Sequence, residues 1–236
     1  IRREQDPTQP QLVESNEQAL AITVDKLSTN ESKAVYKNSY IDMRQYKRLQ
    51  MFVHANADEN NVTNLRDKDL AVFVRLGSDD KNNYYEYEIP LTLTAPGHYD
   101  RYSATDKAAV WPQENMLNIP LTALTNLKKE RNKAKSQGIA SYNQPFTAYD
   151  QNNPNNKMTV VGNPSLGEVK TMMIGVRNLA NGQKSGEVWV NELRLLEYDN
   201  SGGWAAQGNL NIQLSDLGTV NMQGRIINDG FGGFED

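Results

Sequence analysis

Glu86 and Glu88 are separated by one residue in Tyr84-Tyr-Glu-Tyr-Glu-Ile89, and on a β-strand that spacing sets both carboxylates on one face. A protonated and an ionised carboxyl side by side could serve as acid and base in hydrolysis. The competing expectation is a plain solvated face, because Tyr85, Tyr87 and Ile89 share the opposite parity and make a natural core side. His54 falls on the face opposite Leu49, Met51 and Val53, which reads as a surface or interface histidine rather than a base or ligand. Asp79-Asp80 and Asp58-Glu59 match calcium ligands in composition only; the spaced oxygen donors of a calcium loop are missing, so no metal site is expected. Tyr99, Tyr102 and Trp111 could offer sugar rings a stacking platform, since aromatic faces pack on ring C–H groups. Packing at a sandwich edge is their other use.

No other chemistry stands out. His54 and His98 are the only histidines, and the zinc-protease, phosphate-loop and dinucleotide fingerprints are all missing from the sequence. No catalytic residue and no cofactor is therefore expected, and the chain reads as non-enzymatic. The absence of cysteine excludes disulfides, thiolate metal sites and a thiol nucleophile. A net charge of -4 over 236 residues leaves no basic footprint, which argues against nucleic acid as a partner. No apolar run approaches the roughly 18 residues of a membrane-spanning helix, so any contact with lipid would come through strands. The start at Ile1 and the stop at Asp236, soon after two strand-like runs, suggest a piece of something longer.

The elements that must position these residues are mostly strands. Residues 1–18 read as an extended lead-in, and Ala19–Val24 as a first strand. Asp25–Tyr40 is polar and shows no strand pattern. Leu49, Met51, Val53 and Ala55 alternate with polar or bulky neighbours, as do Leu70, Val72, Val74 and Leu76. That second run and Tyr84–Ile89 flank a short polar loop, which predicts an antiparallel hairpin. From Leu121 the period changes: Leu121, Leu124, Leu127 and Lys128 are spaced for a helix, with Gly138 as its stop. Tyr142–Gly167 reads as loop, and Met172, Ile174 and Val176 as a further strand. Val188 and Val190 have the opposite parity to Leu193 and Leu195, so a β-bulge near Asn191-Glu192 is needed to turn both pairs inward. Residues 19–199 are thus expected to be mainly β: an antiparallel, jelly-roll-like β-sandwich with one inserted helix.

Residues 203–236 carry a different pattern. Trp204, Ala206, Gly208, Leu210, Ile212 and Leu214 alternate with Gln207, Asn209, Asn211 and Gln213. Val220, Met222, Gly224 and Ile226 alternate with Asn221, Gln223 and Arg225. The pattern of this amphipathic strand pair alone favours a soluble hairpin with one wet face, while amides in place of Lys and Glu on the polar side point towards the start of an outer-membrane barrel segment.

Long strings of the chain are similar to one known family. Asp42-Met-Arg-Gln-Tyr-Lys-Arg-Leu-Gln-Met-Phe-Val-His-Ala55, Phe73-Val-Arg-Leu-Gly-Ser78, Asn83-Tyr-Tyr-Glu-Tyr-Glu-Ile-Pro90, Gly162-Asn-Pro-Ser-Leu-Gly-Glu-Val169, Gly186-Glu-Val-Trp-Val-Asn-Glu-Leu-Arg-Leu195, Gly203-Trp-Ala-Ala206 and Leu214-Ser-Asp-Leu-Gly-Thr-Val220 resemble the SprA (Sov) family. These are giant outer-membrane proteins of Bacteroidetes associated with gliding motility and the type 9 secretion system. The resemblance spans about residues 19 to 234. It implies a structural module of a protein-secretion translocon, located in the outer membrane at its cell-surface or periplasmic face. The implied partners are the remainder of a parent barrel chain, other secretion-system subunits and secreted cargo, with the outer membrane reached through that barrel. It supplies no catalytic, cofactor or metal residue. A carbohydrate-binding jelly-roll module at the cell surface is the alternative reading.

Overall fold

Strands β4 (Leu70–Gly77) and β5 (Tyr84–Pro90) hold a dense run of β-branched and aromatic residues, the types that suit a pleated surface, and they pair antiparallel in the middle of a six-stranded sheet. A computed structural model describes residues 19–58 and 60–198, and the backbone of strands 208–213 and 219–224. Around the central hairpin lie β1 (Leu20–Leu27), β2 (Ser32–Ile41), β3 (Tyr46–Ala57), β6 (Leu117–Pro120), β7 (Phe146–Tyr149), β8 (Lys157–Val161), β9 (Val169–Asn178) and β10 (Lys184–Tyr198). One sheet has the order β2-β9-β4-β5-β8-β7, the other β1-β10-β3-β6, and every pairing is antiparallel. The pairs β1–β10, β2–β9, β3–β6 and β4–β5 nest inside one another, like a long hairpin rolled onto itself.

One continuous apolar core lies between the sheets. Leu49, Met51, Val53 and Ala55 of β3 face it from one side, and Val72, Val74, Tyr85, Tyr87, Ile174 and Val176 from the other. The expected bulge in β10 is present: the register with β3 shifts between Asn191 and Arg194, and Glu192 takes a left-handed φ of 53°. Val188, Val190, Leu193 and Leu195 are all buried as a result. Helix α2 (Leu121–Ser136) follows β6 directly and wedges between the sheets, touching β7 and β8 on one side and β3 and β6 on the other. Leu121, Leu124 and Leu127 are its buried residues at the N-terminal half, and Gly138 accepts the left-handed turn (φ 75°) that ends it.

Three expectations need correction. A second helix, α1 (Ala104–Val110), joins the one that was expected; Ser103 caps it by accepting a hydrogen bond from the Asp106 N–H at 3.2 Å. No residue of α1 is buried, so no apolar stripe announces it. The polar stretch Asp25–Tyr40 contains most of β2, an edge strand held by backbone pairing with β9 and so free of the apolar alternation a buried strand needs. The loop-like stretch Tyr142–Gly167 contains β7 and β8, whose lengths of 4 and 5 residues are too short for a visible period. At the C-terminal end, β11 (Gly208–Gln213) and β12 (Thr219–Gly224) pair antiparallel, with Leu210 opposite Met222, Ile212 opposite Val220 and Asn211 opposite Asn221. The lead-in 1–18 and the rest of 199–236 lie outside the described residues.

Candidate functional site

The Glu86–Glu88 pair sits on the outer face of the six-stranded sheet, and the solvated-face expectation is overturned. Glu86 is 4% exposed and Glu88 3%. Cross-strand register supplies the counter-charges: Arg75 stands opposite Glu86 on β4, and Lys157 opposite Glu88 on β8. Arg75 Nε donates to Glu86 Oε2 at 2.5 Å, and Lys157 Nζ lies 2.8 Å from Glu88 Oε1. Arg177, two strands away on β9, reaches across to both, donating to Glu86 Oε1 at 2.9 Å and to Glu88 Oε2. All the carboxylate oxygens therefore accept from a cation. Aromatic rings floor the cluster: Arg75 lies 4.3 Å from the Tyr84 ring centroid, and Arg177 lies 4.5 Å from that of Phe73. Gly175 makes room for this floor, since a Cβ there would collide with the Phe73 ring and with Ala34. Strand parity placed the two glutamates on one face correctly. It could not show that arginine stems and rings would cover that face.

His54 is likewise buried, at 6% exposure, which corrects the surface reading. Its Nδ1 lies 2.8 Å from the Val110 carbonyl oxygen and 3.0 Å from Thr94 Oγ1. Thr94 donates its own hydroxyl proton to the Ala109 carbonyl at 3.3 Å, so the hydrogen-bond pattern assigns the imidazole proton to Nδ1. The ring packs on Trp189 at 4.8 Å and edge-on to Trp111 at 6.0 Å. The C-terminal end of α1 provides this roof, and α1 has no buried stripe by which residue order would announce it. Trp111 of the proposed sugar platform is thus packed against His54. Tyr99 is half-buried and donates to the Ala95 carbonyl at 2.5 Å. Tyr102 is exposed, with the Arg101 guanidinium 4.7 Å from its ring centroid.

Asp79 shapes the β4–β5 turn. Its carboxylate accepts from the backbone N–H groups of Lys81 at 2.9 Å, Asn82 at 2.5 Å and Asn83 at 3.1 Å, and from the Asn83 amide at 2.9 Å. Burial opposes ionisation, but these donors, led by the Asn83 side chain, outweigh it and bring the pKa down to about 2. Among the described residues there is no group of three or more histidine or acidic side chains that could hold a metal ion. Glu59 of the other acidic pair lies outside the described residues.

A family model for motility related/secretion proteins, SprA_N, matches residues 1–236. The chain belongs to the SprA family. No curated protein matches it. In this SprA-family chain the residue that sequence reading missed is Arg131 of α2, which is fully buried at 0% exposure. Its Nε donates to Asn132 Oδ1 at 2.9 Å, while Nη1 and Nη2 are buried without a hydrogen-bond partner. The signal was available: position 131 continues the Leu121, Leu124, Leu127 stripe by one further helical step, so it faces inward whatever residue occupies it.

Proposed function

We propose that this chain is a non-enzymatic structural module of an outer-membrane protein-secretion translocon, serving type 9 secretion and gliding motility in Bacteroidetes. The family match over residues 1–236 carries the reading. The nested strand pairing supports a jelly-roll sandwich. The like-with-like register of β11 and β12 supports a strand pair that belongs to the barrel of a parent protein. The engagement of every Glu86 and Glu88 oxygen by cations supports an architectural rather than a catalytic use of that pair. Its partners on this reading are the rest of the barrel chain, other secretion subunits and cargo in transit.

Deleting residues 19–198 from the protein in a gliding bacterium should abolish gliding and trap cargo behind the outer membrane. Normal gliding and secretion, with the shortened protein present in the outer membrane, would overturn the assignment. Calorimetry with bacterial polysaccharides separates the carbohydrate-binding alternative, because the structural reading expects no saturable heat.

A further inference from the structure

Helix α2 changes character along its inward face. Leu121, Leu124 and Leu127 are buried apolar residues, whereas the same face continues with the half-buried Lys128 and the buried Arg131, and Lys135 one turn on is exposed. The helix holds five cations, Lys128, Lys129, Arg131, Lys133 and Lys135, against the single carboxylate of Glu130. Among the described residues none of the five forms an ion pair. Lys133 and Lys135 in the last turn are favoured by the helix dipole, which accounts for exposed lysines there. It does not account for a guanidinium sealed from water with both terminal nitrogens unpartnered. A buried charge is ordinarily paired, because its lost hydration has to be replaced by hydrogen bonds.

What surrounds Arg131 is positive and aromatic. The Tyr142 ring carries two cations, with Lys135 Nζ 3.9 Å and Arg131 Cζ 4.5 Å from its centroid. Lys128 Nζ is fixed nearby on the Pro164 carbonyl at 2.7 Å, and the same carbonyl accepts from the Tyr85 hydroxyl at 3.3 Å. Lys128 is held below its ordinary pKa by burial, with the Arg131 charge adding to the same direction. Tyr142 is exposed and lies beyond the helix stop, anchored through its carbonyl to the Gly162 N–H at 2.8 Å. The Tyr142 ring is thus a partly solvent-exposed cover against the guanidinium, carried on a backbone that is tied down.

We infer that Arg131, flanked by Lys128 and Lys135 and covered by the Tyr142 ring, is a binding site for a phosphate-type oxyanion. The planar guanidinium offers its two free nitrogens as a fork that matches two oxygens of one phosphate, a stronger interaction than its present contact with a ring face. Three cations with no carboxylate among them suit a doubly charged anion better than a single carboxylate. The phosphate can come from a free anion or from a lipid headgroup, and the test separates the two.

The 236-residue chain is titrated with inorganic phosphate against chloride at matched ionic strength, following thermal unfolding and the Tyr142 ring resonances. In a second arm it is sedimented with phosphatidylglycerol vesicles. Arg131→Met replaces the guanidinium with an apolar side chain of comparable reach, a change that a buried position tolerates, and Lys135→Gln provides a milder variant. A saturable response to phosphate or to vesicles, weakened about tenfold or more in Arg131→Met and less in Lys135→Gln, supports the site and names the source. An unsaturable rise shared by all three proteins is the general salting effect of phosphate, and it overturns the site, as does the absence of any response in either arm.

Discussion

The outer face of the six-stranded sheet and the inner face of α2 both bury arginine, yet they treat it in opposite ways. On the sheet, Arg75, Arg177 and Lys157 meet Glu86 and Glu88, and every carboxylate oxygen is engaged. On the helix, Arg131 is buried with no carboxylate and two idle nitrogens. Antiparallel register explains the first, since it sets residues of neighbouring strands directly opposite one another and so brings opposite charges together. A helix offers no such facing partner, and what Arg131 meets depends on the segment that crosses it. Buried charge in this fold is therefore structural where it is balanced and open to a ligand where it is not.

The sharpest way to break that contrast is to remove the shared cation of the sheet. Arg177→Ala leaves Glu86 and Glu88 buried with a diminished set of partners, and it should lower unfolding stability by about 3–5 kcal/mol in urea titration. A cost below about 1 kcal/mol would mean that the face is wetter than its geometry shows. Next, Gly175→Ala tests the aromatic floor under the same cluster. Forcing the Phe73 ring and Ala34 apart should cost about 1–3 kcal/mol, and an unchanged midpoint would show the floor to be loose.

The buttressed carboxylate of Asp79 makes the β4–β5 turn sensitive to pH. Its pKa in the folded state, about 2, lies below the ordinary aspartate value of roughly 3.9, so its contribution is fully present above pH ~4 and is lost as pH falls towards 2. The contribution should be at most about 2 kcal/mol after allowance for partial exposure. Wild type should therefore lose more stability between pH ~4 and ~2 than Asp79→Asn does, and parallel curves would remove the turn carboxylate from the account. The smallest effect belongs to the helix: Arg131→Met should change stability in phosphate-free buffer by less than about 1 kcal/mol, or raise it. A loss as large as that of Arg177→Ala would show that Arg131 has partners in solution and would erase the contrast.

Much of this was legible from residue order alone. The β4–β5 hairpin followed from two period-two runs around a polar loop, the bulge at Glu192 from a switch of parity, and the end of α2 from Gly138. The strands β2, β7 and β8 were not legible, because an edge or very short strand is held by backbone hydrogen bonds that leave no mark on side-chain hydropathy. The burial of His54 was hidden for a related reason. Its roof is a seven-residue helix with no buried face of its own.

Side-chain periodicity is a local property of strand and helix geometry, so the amino-acid order determined which residues share a face: Glu86 with Glu88, Tyr85 with Tyr87, Arg131 with Leu124 and Leu127. Whether a given face is wet, dry, balanced or left charged depends on residues brought in from far along the chain, as Arg177 is to Glu86 and Trp189 to His54. That was decided by the tertiary structure, because desolvation and pairing are set by neighbours in space.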